Sequence, residues 1–393
     1  MFGFTYYSPT KVIFGKDSET QVGSLLAQYG AKKVLIHYGG HSALRSGLID
    51  RVKASLDAAG IDHVELGGVV PNPRLSKVRE DIALAQASDV DFVLAVGGGS
   101  VIDSTKAIAY GLGEPDKDVW ELFAKKRKAR NFFPIGSILT IAAAGSETSN
   151  SCVITNEATG EKRSYNDDIA RPKFTIMDPL LTMTLPPYQT AAGCADIMMH
   201  TMERYFTQGG NMELTDELAE GLLRTVMKYA EVLQKEPDNY EARAEVMWAG
   251  SLSHNGLTGC GNDGGDSASH ALEHEMSGMF DVTHGAGLTA IWPSWARYVY
   301  RNDLPRFVRF ATHVTGVQPG ATDEETALRG IEAMEAFYHR IGMPTNMHEL
   351  GIAPTEEQIL QMAASCARAT GGKKGSAKIL YEADMAEIYR RAL

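Results

Sequence analysis

The stretch DFVLAVGGGSVIDSTKAIAYGL at 91–112 does most to limit the folds open to this chain. It opens on an unbroken apolar run rich in Val and Leu, which suits a strand buried on both faces. Three glycines follow, and then apolar residues recur at helical spacing. Strand, glycine turn and helix in that order make the repeating element of a parallel sheet covered on both sides. The pattern recurs upstream: KKVLIHYGG (32–40) leads into helical periodicity over 43–59, and VELGGVV into a helix from about 74 to 87. Further β-rich runs fall at 135–141, 152–156 and 174–177. Beyond DPLLTMTLPP (178–187) helix-like stretches take over, at 189–206, 214–235, 240–255, 266–279, 286–301, 304–314, 323–341 and 355–369. Pro186-Pro187 breaks the chain between the two textures, because proline removes a backbone donor and restricts its predecessor. The expected architecture is an α/β domain over 1–187 with a parallel sheet, followed by an all-helical domain over 188–393.

Composition removes several classes of function. Acidic residues number 49 against 38 Lys plus Arg, a net charge of -11, which argues against a nucleic-acid partner. The basic run from Lys125 to Arg130 reads as a solvated face. No apolar run approaches the ~20 residues of a membrane span. The opening MFGFTYYSPTKVIFG lacks the basic and apolar segments of a secretory leader. The four cysteines, Cys152, Cys194, Cys260 and Cys366, form no CxxC pair, as expected of free thiols in a reducing, cytoplasmic compartment.

Two glycine turns are candidates for a nucleotide. Gly97, Gly98, Gly99 and Ser100 end the buried strand, and the helix after them offers unpaired N–H groups and a positive dipole end to a phosphate. The same string also suits a plain tight turn, and it has Ile102 where the usual dinucleotide motif has its third glycine. The earlier turn, Gly39-Gly40-His41-Ser42, falls where an adenosine ribose would be met. It carries no acid to hold a 2′-hydroxyl or repel a 2′-phosphate, which tilts the expectation toward NADP(H), with NAD possible.

A second constellation lies in the helical half. Asp196 and His200 share a helix face in CADIMMHTMERY, and SHALEHEMSGMFDVTHGAGL sets His270 and His274 one turn apart, with His284 ten residues further on. One carboxylate with several imidazoles suits a divalent transition ion such as Zn²⁺ or Fe²⁺, although any one of these histidines alone suits a hydrogen-bonded core or surface position. The spacing is not that of an HExxH protease. A nucleotide site in one half and a metal in the other would meet naturally in a cleft.

GGGSVIDSTK (97–106), TIAAAGSETSNSCVITN (140–156), ADIMMH (195–200) and HALEHEMSGMFDVTHGAGL (270–288) together resemble the iron-containing (group III) alcohol dehydrogenase family. Within it they resemble the butanol dehydrogenase and NADPH-dependent aldehyde reductase branch, nearly end to end. The resemblance implies a dehydroquinate synthase-like fold, with the metal held by Asp196, His200, His270 and His284 and iron as the ion. It places His274 beside nicotinamide and substrate, as a proton relay or as a packing residue. It assigns the cofactor to Gly39, Gly40, Ser42, Asn72, Gly97, Gly98, Gly99, Ser100, Asp103, Thr140, Ser149 and Lys162. His41 departs from the branch, where that position is often glycine. A homodimer is also implied, with the segment at 5–14 as a contact.

The implied reaction is reversible hydride transfer between NAD(P)H and short- to medium-chain primary alcohols and aldehydes. Three alternatives stand beside it: a polyol or glycerol-type dehydrogenase, a dehydroquinate synthase-like lyase, and a metallohydrolase that binds no nucleotide. The lyase needs clustered Lys and Arg near the metal ligands, where Arg204 alone occurs.

Overall fold

Side chains alternate across a strand, so strands that are apolar at successive positions need cover on both faces. The computed structural model describes residues 1–393. Its strands are Lys11–Phe14 (β1), Lys33–Tyr38 (β2), Asp62–Leu66 (β3), Phe92–Gly97 (β4), Ile135–Leu139 (β5), Ser151–Asn156 (β6), Glu161–Asn166 (β7) and Phe174–Met177 (β8). Six of them form one all-parallel sheet in the order β1-β8-β5-β4-β2-β3. Val34, Ile36, Phe92, Leu94 and Val96 pack with Val22–Leu26 and Leu48–Leu56 on one face. Leu35, Val93 and Ile135 face the other way, onto Leu75, Val78 and the Ala107–Tyr110 stretch. The sheet is therefore doubly wound, as the expected alternation of elements requires.

Strand order fixes where a ligand can be met. From β2 the chain steps outward to β3, then crosses back over β2 to β4 and on to β5. The direction of winding reverses between β2 and β4, and in open parallel sheets ligands bind beyond the C-terminal strand ends at such a reversal. Gly39 and Gly40 follow β2, Gly97 closes β4, and Thr140 follows β5 with its N–H donating to Gly97 O at 3.1 Å.

The run expected at 152–156 forms a strand, but outside the main sheet: β6 pairs antiparallel with β7, which the sequence reading missed. The hairpin is joined to the rest of this part of the chain by Thr155, whose N–H donates to Pro73 O at 2.9 Å. Lys106, on the helix Gly99–Gly113, reinforces the segment leading into it. Its fully buried ammonium donates to Ser146 O (2.7 Å), Ser146 Oγ (3.0 Å), Ser149 O (3.0 Å) and Ser151 O (2.7 Å). Burial pushes this group down to about 8, which still leaves it charged at neutral pH.

The chain divides into two compact units, Ser8–Thr184 and Leu185–Leu393, with Met1–Tyr7 belonging to the second. The expected domain 1–187 differs at residues 185–187 and in those first residues, which hold to the helical unit through Phe2 N–H donating to Gly261 O at 2.9 Å. The helices of that unit are Pro187–Tyr205, Glu213–Lys235, Tyr240–His254, Ala268–Phe280, His284–Val299, Leu304–His313, Asp323–Arg340, Glu356–Ala369 and Glu382–Arg391. The first starts with proline at its opening position, where a missing N–H costs nothing.

Replacing Lys106 by Met should leave four loop oxygens without their donor and destabilise the α/β unit by about 3–5 kcal/mol. Urea unfolding of the variant measures this, and a loss under 1 kcal/mol would show the loop to be held by other contacts.

Candidate metal centre and nucleotide turns

The helix Pro187–Tyr205 is buried on nearly all sides, and among its polar side chains Asp196 and His200 lie one turn apart on a single face. The start of the helix His284–Val299 is brought against it by a glycine: a Cβ at Gly285 would lie 2.0 Å from Ala192 O. That contact sets His284, the first residue of its helix, over the same face. His270 comes from the first turn of the helix Ala268–Phe280.

Three imidazole nitrogens converge on one carboxylate oxygen. Asp196 Oδ1 lies 3.3 Å from His200 Nε2, 3.6 Å from His270 Nε2 and 3.7 Å from His284 Nε2. Asp196 Oδ1 and His270 Nε2 are buried without a hydrogen-bond partner. Buried polar atoms left without partners are costly unless something fills the space between them. One carboxylate and three imidazoles form a donor set for Fe²⁺ or Zn²⁺. The residues present thus fit a divalent ion. His284 is the most open of the four, with 26% of its side chain exposed against 5% for Asp196, so the group is approached from the His284 side.

Each of two imidazoles has a carboxylate behind it that the sequence reading did not find. His270 Nδ1 donates to Glu203 Oε2 at 2.7 Å, and His270 N–H donates to Glu203 Oε1 at 2.9 Å. His284 Nδ1 donates to Glu273 Oε2 at 2.5 Å. The signal was present: Glu203 follows His200 by three residues, and Glu273 follows His270 by three, so each shares a helix face with a candidate ligand. His254 was also missed; its ring stacks on His200 at 3.9 Å between centroids, and His200 stacks in turn on His270 at 4.3 Å. His274 stands beside the group, with ring centroids 5.8 Å from His284 and 6.2 Å from His270. Arg204 is held by the backbone of a candidate ligand: its Nη1 donates to His200 O at 2.6 Å.

The α/β unit brings the two glycine turns and Thr140 to neighbouring strand ends. Gly99 and Ser100 open the 15-residue helix Gly99–Gly113, half-buried, while Gly97 and Gly98 are buried. Packing already demands those two glycines, since a Cβ at Gly97 would meet Val101 at 2.4 Å and one at Gly98 would meet Ile141 at 2.9 Å. Ser42 starts a short helix and is exposed, as is His41 before it. Asn72 has a left-handed backbone (φ 54°), which asparagine tolerates better than most residues. Lys162 lies opposite Thr155 in the β6–β7 hairpin, and Thr155 bridges to Arg74, two residues beyond Asn72. Asp103 and Ser149 are committed to the loop itself. Asp103 accepts from Ser146 Oγ at 2.5 Å and from Val153 N–H at 3.0 Å, and the buried Ser149 hydroxyl accepts from Ser151 N–H at 3.3 Å.

Both halves of the chain match models of a known family. Residues 9–179 match the model of the iron-containing alcohol dehydrogenase family, and residues 190–393 match the model of its C-terminal part. The chain belongs to the iron-containing alcohol dehydrogenase family. It is 40% identical over 393 residues to NADH-dependent butanol dehydrogenase A of Clostridium acetobutylicum, covering 100% of both chains. It is 34% identical to the NADPH-dependent aldehyde reductase YqhD of Escherichia coli, over 90% of each. The crystal structure of NADH-dependent butanol dehydrogenase A from Thermotoga maritima superposes with a TM-score of 0.95 at 39% identity, covering 100% of this chain and 99% of that one. As a member of the butanol dehydrogenase and aldehyde reductase branch, the protein is an NAD(P)H-linked oxidoreductase of the alcohol dehydrogenase and aldehyde reductase kind.

The candidate site has a definite proton balance. Burial opposes charge on His270, but Glu203 and Asp196 outweigh it and lift the group to about 10. His200 moves the opposite way, held well below the usual range by burial first and by His254 and His270 next. An imidazole must be neutral to bind metal, so ion uptake near neutral pH displaces the His270 proton. Apparent metal affinity should therefore rise about tenfold per pH unit between about 7 and 9, and level off as pH passes the His270 value of about 10. Chelator competition across that range measures the slope, and a flat profile would contradict the proton exchange.

Proposed function

We propose that this enzyme reduces short- to medium-chain linear aldehydes to primary alcohols with NADPH, around Fe²⁺ held by Asp196, His200, His270 and His284. The observation that carries the reading is the convergence of three Nε2 atoms on the orphaned Asp196 Oδ1. Lewis-acid polarisation of the substrate oxygen is the chemistry such an ion supplies when bound. Zinc suits the same donors, and the family supports iron.

The protein's own residues do the remaining work. Gly99 and Ser100 offer N–H groups at a helix start to the pyrophosphate, aided by the helix dipole. Thr140 adjoins the second turn through Gly97 O, the family likeness adds Asn72 and Lys162 as cofactor contacts, and Asp103 and Ser149 act by shaping the loop. No carboxylate at 39–42 repels a 2′-phosphate, and the exposed His41 and Ser42 leave it room. His274, beside His284, holds or passes the proton that joins the product oxygen, since an imidazole titrates near neutral pH. A homodimer and a cytoplasmic location complete the proposal. The exposed Phe2, Phe4, Tyr6, Tyr7 and Phe14 support the first, and four cysteines kept as thiols support the second. No helix is long and apolar enough to cross a membrane.

Steady-state assays on butanal and longer aldehydes should give a higher kcat/KM with NADPH than with NADH, and Ser42→Asp should shift the preference toward NADH by like-charge repulsion. A tenfold preference of the wild type for NADH, about 1.4 kcal/mol, would reverse this reading of the turn. Faster turnover of glycerol than of butanol would instead move the substrate to the polyols.

The metal is tested separately. Asp196→Ala or His284→Ala should lose the metal and abolish turnover while NADPH titration stays as in wild type, because the two sets of residues belong to different units. His274→Ala should keep the metal and lose rate. Metal analysis with NADPH fluorescence titration reads all three variants, and full metal content in His284→Ala would show that the ion sits elsewhere.

A further inference from the structure

Two buried carboxylates stand behind the candidate ligands, and their surroundings differ in one respect. Glu203 receives two N–H donors from the same residue: the backbone of His270 on Oε1 at 2.9 Å and its ring Nδ1 on Oε2 at 2.7 Å. Glu273, with a fully buried side chain, receives His284 Nδ1 on Oε2 at 2.5 Å and the Ser277 hydroxyl on Oε1. Glu273 is also fixed in place by packing, since a Cβ at Gly287 would come within 3.0 Å of its Cγ. Both contacts use Nδ1, which turns Nε2 toward Asp196 in each ring. A hydrogen bond on one ring nitrogen sets the tautomer and presents the other nitrogen to a metal.

We infer that Glu203 and Glu273 are positioning residues of the metal centre and that they are not interchangeable in chemistry: Glu203 must be a carboxylate, whereas Glu273 needs only one acceptor oxygen. This rests on the reading of Asp196, His200, His270 and His284 as ligands. An amide at 203 has one acceptor for two N–H donors: its NH₂ would be set either against the backbone N–H, which cannot reverse its role, or against Nδ1, which can accept only in the tautomer that puts the ring proton on Nε2, the nitrogen meant for the metal. An amide at 273 keeps its oxygen on His284 Nδ1 and turns its NH₂ toward Ser277. The serine hydroxyl can accept there, because its own proton has a second acceptor, Val282 O, at 3.4 Å. The serine thus makes the second position tolerant.

The test uses full-length protein stripped by chelator and titrated with Zn²⁺ against a competing chelator, with Co²⁺ absorption as a reading of the ligand set. Glu203→Gln should weaken Zn²⁺ by about 100-fold and Glu273→Gln by about tenfold or less, the range found for partners of ligating histidines. Removing the hydroxyl should expose the difference: Ser277→Ala alone stays near wild type, but Glu273→Gln with Ser277→Ala falls to the level of Glu203→Gln. At saturating Co²⁺ the Glu273→Gln spectrum should match wild type, since the ligands are unchanged. If Glu203→Gln does not fold, the Glu273→Gln single variant and the double variant decide the matter between them. Equal losses in both Gln variants, wild-type affinity in both, or a double variant no weaker than Glu273→Gln would each overturn the inference. Asp196→Ala separates the two levels. Loss of its metal alongside unaffected Glu variants sinks this inference alone, whereas retained metal sinks the ligand assignment and this inference with it.

Discussion

A carboxylate kept out of water inside a helical bundle is the constraint on which the second half of this protein depends. Burying a charge is costly unless it is paired or bound to metal, and Asp196 has 5% of its side chain exposed. The surrounding sequence is arranged around that cost. Gly285 lets one helix close onto Ala192, which delivers His284. Glu203 joins the Asp196 helix to the start of the helix carrying His270. Three helices are therefore tied together at the point where each contributes a proposed ligand, and the folding of the bundle and the geometry of the site are one problem.

The nucleotide side obeys a different rule. Its glycines are demanded by neighbours such as Val101 and Ile141, so the string of glycines by itself says little about phosphate. Topology says more. The reversal of winding between β2 and β4 puts the ends of those strands, Tyr38 and Gly97, beside one another, with Thr140 next in line. Sequence order alone gives the strands but not their neighbours, so the location of the crevice becomes visible only with the sheet.

The legible parts of the sequence were those with a strong period. The buried strand at 91–97 and the long amphipathic helices after Pro187 lie close to where apolar spacing put them. The strand Glu161–Asn166 was missed because its residues are mostly charged or polar and half-exposed, the mark of one arm of an isolated hairpin. The last helix, Glu382–Arg391, is similarly charged on its outer face. The four proposed ligands could be named from spacing and family likeness, since His, Asp and their helical periods leave a trace. Glu203 and Glu273 left a weaker one. A buried glutamate looks like a surface residue until its donors are known, and those donors lie on other helices or on the first residue of one.

Lys106 has a consequence for labelling chemistry. Amine-reactive reagents attack the uncharged, solvent-accessible form of lysine, and this one is sealed behind four oxygens of the segment Ser146–Ser151. It becomes reachable when that segment lets go. The rate at which an acylating reagent marks Lys106, relative to exposed lysines such as Lys11, is therefore a clock for the opening of the loop beneath the nucleotide turns.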